Sequence, residues 1–406
     1  MPLVTRTTQF ICRWWPAILL GILTIGAYGF SYYSFGVFLE PISTDTGWSK
    51  AGLSAAFALG TLAGGVGSIG AGRVFDAHGP KPVFFVGLVA GSGLIMLASS
   101  ASSLAVFSIM WGLGAGMISS TLFYNVTMAT VSRLYPDRRA QAFTVLTFVG
   151  GLALPVFGPL SGFIVDEWGW RDAMRILTTI QAAFVLPAIV FVPRLEPAAM
   201  TQGTTTTDRE GYGRLIDAMY SREVIQMILM FAFSIAAFAA IQVHHVAAFR
   251  SAGLSLGTAA TLAGVRGLLS LPGRGALAFV QGRLGTPGAT LVIYIAMTGG
   301  TLLLVPAGHI SLVWAFVIVT GLAFGTLVPL QGLYAAEVFG QKRLGTLLGA
   351  QALLLALAAA VGPLVVGFAA DASGSYKPAL VLIASLHTVA ILLLITRPRR
   401  HPDIKP

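Results

Sequence analysis

Residues 254–279 read LSLGTAATLAGVRGLLSLPGRGALAF, an apolar, glycine-rich run whose only charges are Arg266 and Arg274. About 20 such residues cross the ~30 Å hydrocarbon core of a bilayer, so this run is long enough to span one. A cation near the bilayer centre costs roughly 2.5–3.5 kcal/mol on insertion scales, and it therefore faces a cavity or a partner. No Asp or Glu lies in the run. The expected partner is then a group outside it, and an anionic substrate fits.

The rest of the chain is equally apolar. Of its 406 residues, 56% are hydrophobic and 10% are charged, whereas a soluble domain carries about 25% charged residues. Mean hydropathy is +0.82. These values predict an all-α membrane protein. Twelve runs of spanning length are expected, near 16–39, 49–74, 82–100, 104–132, 140–166, 173–192, 223–249, 255–282, 288–307, 311–336, 344–370 and 376–396. The first follows Arg6 and Arg13, the order found in a signal peptide. It is too long for that and no small-residue cleavage site follows, so it is expected to be retained. Between the sixth and seventh runs, residues 193–222 form a polar linker with a short surface helix expected around Leu215–Tyr220. The reading is thus two six-helix halves, 1–192 and 223–406.

The net charge of +10 is a topology signal. With twelve spans, eighteen of the 25 Lys and Arg residues fall on the side of the termini and five on the other, the remaining two being Arg266 and Arg274. The positive-inside rule places both termini and the linker in the cytoplasm, and nucleic acid is not an expected partner. With Cys12 alone there is no internal disulfide, and no Cys/His metal spacing occurs. Neither metal nor cofactor is expected. The Gly-x-Gly runs follow no strand and are not nucleotide motifs. They read as helix-packing sites, as at Gly64, Gly67, Gly112, Gly114 and Gly116.

The halves echo each other. Tyr135-Pro136-Asp137-Arg138-Arg139, Gly158-Pro159-Leu160, Gly162-Phe163 and Asp166 recur as Phe339-Gly340-Gln341-Lys342-Arg343, Gly362-Pro363-Leu364, Gly367-Phe368 and Asp371. Two parallel halves imply a pseudo-two-fold along the membrane normal and a site between them with alternating access.

Gly72-Arg73-Val74-Phe75-Asp76-Ala77-His78-Gly79-Pro80-Lys81 resembles the signature loop of the major facilitator superfamily, Gly-x-x-x-Asp-Arg-x-Gly-Arg-Arg. Gly72, Asp76, Gly79 and Lys81 fit, and Ala77 replaces the Arg. The resemblance covers the whole chain and implies the major facilitator fold. Asp76 is expected to brace a gate, as a carboxylate at a helix end meeting a neighbouring helix N-terminus and nearby cations. The matching loop, Gly282-Arg283-Leu284-Gly285, has no acid. More narrowly, Thr46-Gly47-Trp48-Ser49-Lys50-Ala51-Gly52-Leu53-Ser54 and Trp168-Gly169-Trp170-Arg171 are similar to bacterial relatives of the monocarboxylate transporters and the oxalate:formate antiporters. That likeness implies an Arg in span eight, here Arg266 or Arg274, for a substrate carboxylate. The Lys that the oxalate branch carries in span eleven is absent from residues 344–368, which favours a monoanion over a dicarboxylate.

Arg266 lies about 11 residues into its span, roughly 16 Å deep at 1.5 Å per residue. It serves either as a bidentate carboxylate clamp or as a packing residue bonded to backbone carbonyls or Gln side chains. Arg274, two turns on, is a second station or snorkels to the interface. His244 and His245, ending span seven, are the proton-coupling candidates; the alternative for them is an interfacial pair wet by water. Glu40, at the outer end of span one beside Pro41, is a further proton candidate, with an interface residue as the alternative. The resemblance implies a cavity lined by spans one, four, seven and ten, where Tyr28, Tyr32, Tyr124, Asn125, Gln331 and Tyr334 supply donors. An interfacial aromatic belt or interhelical bonding is the alternative for each.

The expectation is a monomeric, multi-pass transporter of the bacterial inner membrane, carrying a small organic monoanion with protons. An anion exchanger or efflux protein is the alternative. A transport-dead sensor is disfavoured because the linker and tails hold no signalling domain, and no catalytic constellation marks an enzyme.

Overall fold

The computed structural model describes residues 3–195, 221–306, 309–339 and 344–397. Most of the linker, including Leu215–Tyr220, lies outside these residues, as do Lys342 and Arg343. Every regular element described is helical. In chain order these are α1 Leu3–Tyr28, a π-helical turn Gly29–Tyr33, α2 Phe35–Thr46, α3 Lys50–His78, α4 Pro80–Val86, a second π-helical turn Gly87–Gly91, and α5 Ser92–Ala98. They continue as α6 Leu104–Leu122, α7 Tyr124–Leu134, α8 Arg139–Gly150, α9 Ala153–Phe191, α10 Arg222–Ser251 and α11 Leu256–Leu302. The last are α12 Ile310–Phe324, α13 Leu327–Phe339, α14 Leu344–Ser373 and α15 Tyr376–Ile395.

Among the described residues eight helical stretches are long and apolar enough to cross a membrane, and the bent pair of α12 with α13 makes a ninth. One of the eight, Arg139–Phe191, is 53 residues long and breaks at Gly169 (φ 71°, ψ 167°), so it supplies two spans. α11, 47 residues long, breaks at Gly285 (φ 68°, ψ 170°). It is not among the eight, and its two arms complete the set of twelve.

The breaks share one local design. Gly79 has φ 77° and ψ −172°, close to the values at Gly169 and Gly285, and Gly374 also has positive φ at 63°. An L-residue in that region clashes with its own backbone, so glycine makes each corner. Three residues earlier stand Asp76, Asp166 and Asp371, and at the fourth corner Gly282. Gly72 is not part of a corner. It lies inside α3, and a Cβ there would meet nothing within 4 Å.

The contacts divide the chain into two compact units. The first is Met1–Ala198 with Gln242–Leu268, and the second is Ala199–Ile241 with Leu269–Pro406. In a bilayer, helices associate by close packing and interhelical hydrogen bonds, which favours small residues at crossings. In the first unit a Cβ on Gly64 would lie 2.0 Å from Ser119 Oγ, and one on Gly116 would lie 2.6 Å from Ala63 Cβ. These two contacts lock α3 to α6. In the second unit a Cβ on Gly273 would lie 2.0 Å from the Leu322 carbonyl, and one on Gly362 would lie 2.1 Å from that of Ala236.

Candidate functional site

Arg266 is fully buried, at 0% exposure. Backbone proximity puts it there. Gly264 sits against Pro159, and Gly267 against Leu154 and Pro155, so the start of α11 lies directly on α9. Gly36 touches the Gln242 carbonyl in the same way, a Cβ there lying 2.6 Å from it, and so holds the end of α10 against α2. Arg266 Nη1 donates to Gln242 Oε1 at 2.5 Å, the Gln contact that the packing alternative anticipates. Tyr33 stands within electrostatic reach of the same guanidinium.

Tyr33 belongs to the π-helical turn Gly29–Tyr33. Such turns recur at functional sites because the inserted residue re-aims the side chains around it. Ser34 Oγ donates to the Gly29 carbonyl at 2.8 Å and lies 2.6 Å from Ser161 Oγ on α9. Ring contacts run from Tyr33 to Tyr32 (5.2 Å) and from Tyr32 to Tyr28 (6.2 Å). Tyr28 then stacks on Phe123 at 3.6 Å and approaches Tyr124 at 5.1 Å. Tyr28, Tyr32, Phe57, Thr61, Phe123 and Asn125 are among the residues around a cavity of ≈300 Å³. Asn125 Nδ2 donates to Ser68 Oγ at 3.1 Å and to the Ser120 carbonyl at 2.9 Å. The first unit therefore offers a hydroxyl-rich aromatic cavity joined by a chain of tyrosines to a buried cation, an arrangement suited to a small amphipathic anion.

His244 and His245 are 1% and 3% exposed in this conformation. His244 Nε2 lies 3.3 Å from Ser54 Oγ, and the His245 ring meets Phe249 edge-on at 5.7 Å. Glu40 Oε2 accepts from Arg250 Nε at 2.9 Å. Asp166 Oδ2 accepts from the Gly257 backbone N–H at 3.0 Å, at the N-terminus of α11. Asp76 Oδ1 accepts from Arg133 Nη2 at 2.5 Å, and Lys81 Nζ donates to the Val190 carbonyl at 2.9 Å.

The remaining candidates belong to the second unit. Arg274 is partly buried, and its Cγ would lie 2.9 Å from a Cβ on Gly325, so its stem packs at that glycine. The Tyr334 hydroxyl accepts from Arg397 Nη1 at 3.1 Å and borders a separate cavity of ≈280 Å³ with Glu223, Gln226 and Glu337. Gln331 is half-buried one turn before it. The sequence reading missed Gln242, Ser54, Ser161 and the Asp166 contact. Asp166 alone had a legible signal, the repeated Asp-x-x-Gly spacing.

Comparison with known proteins agrees with this architecture. Over 367 residues the chain is 23% identical to monocarboxylate transporter 13 of Rattus norvegicus, covering 90% of this chain and 84% of that protein. It is 28% identical over 207 residues to multidrug resistance protein MdtL of Escherichia coli, covering 48% of this chain and 49% of that one. It is 26% identical over 198 residues to the oxalate:formate antiporter of Oxalobacter formigenes, covering 48% and 46%. The crystal structure of a D-xylose-proton symporter superposes with a TM-score of 0.75 at 14% identity, covering 94% of this chain and 97% of that one. A profile of the Major Facilitator Superfamily matches residues 21–363. Twelve spans, the loop around Asp76 and a match over most of the length converge on one conclusion: the chain belongs to the Major Facilitator Superfamily.

Proposed function

We propose that this protein is a secondary active transporter of a small organic monoanion, a monocarboxylate, moved with protons by alternating access. The observation that carries the reading is the buried Arg266, at 0% exposure and bonded to Gln242. A guanidinium presents a planar fork that matches a carboxylate bidentately. Covered as it is, it meets substrate only in a conformation that uncovers it, and alternating access provides one. Gln242 keeps the guanidinium oriented while substrate is absent. Tyr28, Tyr32 and Asn125 line the adjoining cavity as hydroxyl and amide donors. His244, bonded to Ser54, carries the coupled proton, with His245 beside it. Asp76 with Arg133, Gly79 and Lys81 brace one gate, and Glu40 with Arg250 braces the other. Residues 1–192 and 223–406 act as the two moving halves in a bacterial inner membrane, with both termini cytoplasmic. The full-length likeness to a monocarboxylate transporter supports the substrate class. The half-length likeness to MdtL favours a second reading, exchange or efflux.

Uptake in proteoliposomes of labelled lactate, pyruvate, acetate, benzoate and oxalate, with and without an inward proton gradient, tests the proposal. Gradient-dependent uptake of one monocarboxylate, lost in Arg266→Ala, is expected. Absence of gradient-dependent uptake across the panel sinks proton-coupled import of these acids and leaves exchange or efflux.

A further inference from the structure

A second ligand site lies away from the arginine and the tyrosine cavity, on the flank of the first unit where α1 meets α8. A groove of ≈700 Å³ runs there, its walls formed by Trp14, Ile18, Val145, Phe148 and Val149. Phe148 is 60% exposed, a large apolar surface facing outward. At one end the groove continues into a polar recess of ≈510 Å³ holding Arg13, Arg138 and Arg139, with Arg13 and Gln141 common to both. All three arginines are exposed. The recess also holds one carboxylate, Asp137, so its formal charge remains +2.

The recess is built. Tyr135 donates its hydroxyl to the Arg13 carbonyl at 3.1 Å, and its ring lies 5.1 Å from that of Trp14. The Arg13 guanidinium sits 5.9 Å from the Trp14 ring centroid. These contacts tie the basic end of α1 to the turn that carries Arg138 and Arg139. Arginines that border an apolar helical run sit at the membrane surface; Arg13 stands just before the apolar run that opens with Trp14, and Arg138 and Arg139 stand at the start of α8. The arginines therefore stand at headgroup level and the groove descends from them. From Arg139 to Val149 the helix advances about 15 Å at 1.5 Å per residue. That is the hydrocarbon depth of one leaflet, half of the ~30 Å core.

We propose that this flank is a binding site for an anionic glycerophospholipid of the adjacent leaflet. The phosphate would be held by Arg13, Arg138 and Arg139, and an acyl chain would lie against Trp14, Ile18 and Phe148. Charge complementarity selects the head, since basic clusters at the membrane surface attract anionic lipid with each Lys or Arg contributing. The groove selects a molecule with a hydrocarbon tail over free phosphate.

Native mass spectrometry of the delipidated protein in detergent tests this, using phosphatidylglycerol and phosphatidylcholine of identical chains. The first phosphatidylglycerol should bind about tenfold more tightly than phosphatidylcholine. The triple variant Arg13→Gln, Arg138→Gln, Arg139→Gln should lose that preference. Val145→Trp, which fills the groove, should weaken phosphatidylglycerol binding with the arginines intact. Glycerol phosphate, the head without chains, should not displace the lipid. Equal binding of the two lipids, an unchanged triple variant, or displacement by glycerol phosphate would each overturn the site. Melting of the variants in lipid-free detergent verifies that they are folded.

Discussion

Arg266 and Arg274 occupy one helix, two turns apart, yet the tertiary structure treats them differently. Arg266 is sealed at 0% exposure, with Gln242 as acceptor and Tyr33 nearby. Arg274 is only partly buried and lays its stem at Gly325. Membrane depth therefore does not decide which arginine is the stronger site candidate. What separates them is what packs around each, because a buried charge needs acceptors fixed in place, whereas a long aliphatic stem can lead a cation toward water.

The largest expected effect breaks or confirms this contrast directly. A charged hydrogen-bonding group contributes about 1.5–3 kcal/mol, so Arg266→Ala should lower the initial transport rate at limiting substrate by roughly 10- to 150-fold. Arg274→Ala should stay within about threefold, the residue being outside the proposed clamp. The reverse pattern in proteoliposome uptake would transfer the clamp to Arg274. Next comes Gln242→Leu. It leaves a buried guanidinium hydrogen bond unmade, at a cost of about 1–3 kcal/mol, read as a lower thermal midpoint in detergent. In the double variant with Arg266→Ala the cost should shrink, since the partner is gone.

Smaller effects belong to the corners. Gly169→Ala meets no atom within 4 Å, so it isolates the price of positive φ, about 1–2 kcal/mol. Gly72→Ala, inside α3 and open to space, should be neutral or stabilising by about 0.5–1 kcal/mol. Equal losses at the two glycines would show that the signature loop uses Gly72 for more than backbone shape. The smallest effect is expected at Asp76→Asn. In the Asp76–Arg133 pair the carboxylate is exposed and the guanidinium half-buried, and pairs open to solvent contribute about 0–1 kcal/mol. A larger stability loss would mean that Asp76 braces more than this pair.

Several levels of the molecule were legible in the residue order. Asp76 reads from sequence as a carboxylate with cations nearby, and the structure sets one of them, Arg133, against it. Tyr28 and Tyr32 of span one and Asn125 of span four border one cavity. Tyr334, by contrast, lines a different cavity and spends its hydroxyl on Arg397. The histidines read as an interfacial pair or a proton site, and the structure buries them, His244 beside Ser54 and His245 against Phe249. Gln242 carried no signal, because nothing about a glutamine 24 residues before an arginine indicates that their helices cross there.

Sequence alone determined that this chain lives in a bilayer and that it spans it twelve times, and it showed motifs that recur between the first and second halves of the chain. Those properties are local or cumulative. Hydrophobicity sums along a run, and a motif is read from neighbouring residues. Tertiary structure decided which arginine is sealed, which side chains meet it, and where a basic recess joins an apolar groove. These depend on how closely backbones approach at Gly36, Gly158, Gly264 and Gly267. That distance is set by packing between segments far apart in the chain, which no single segment encodes.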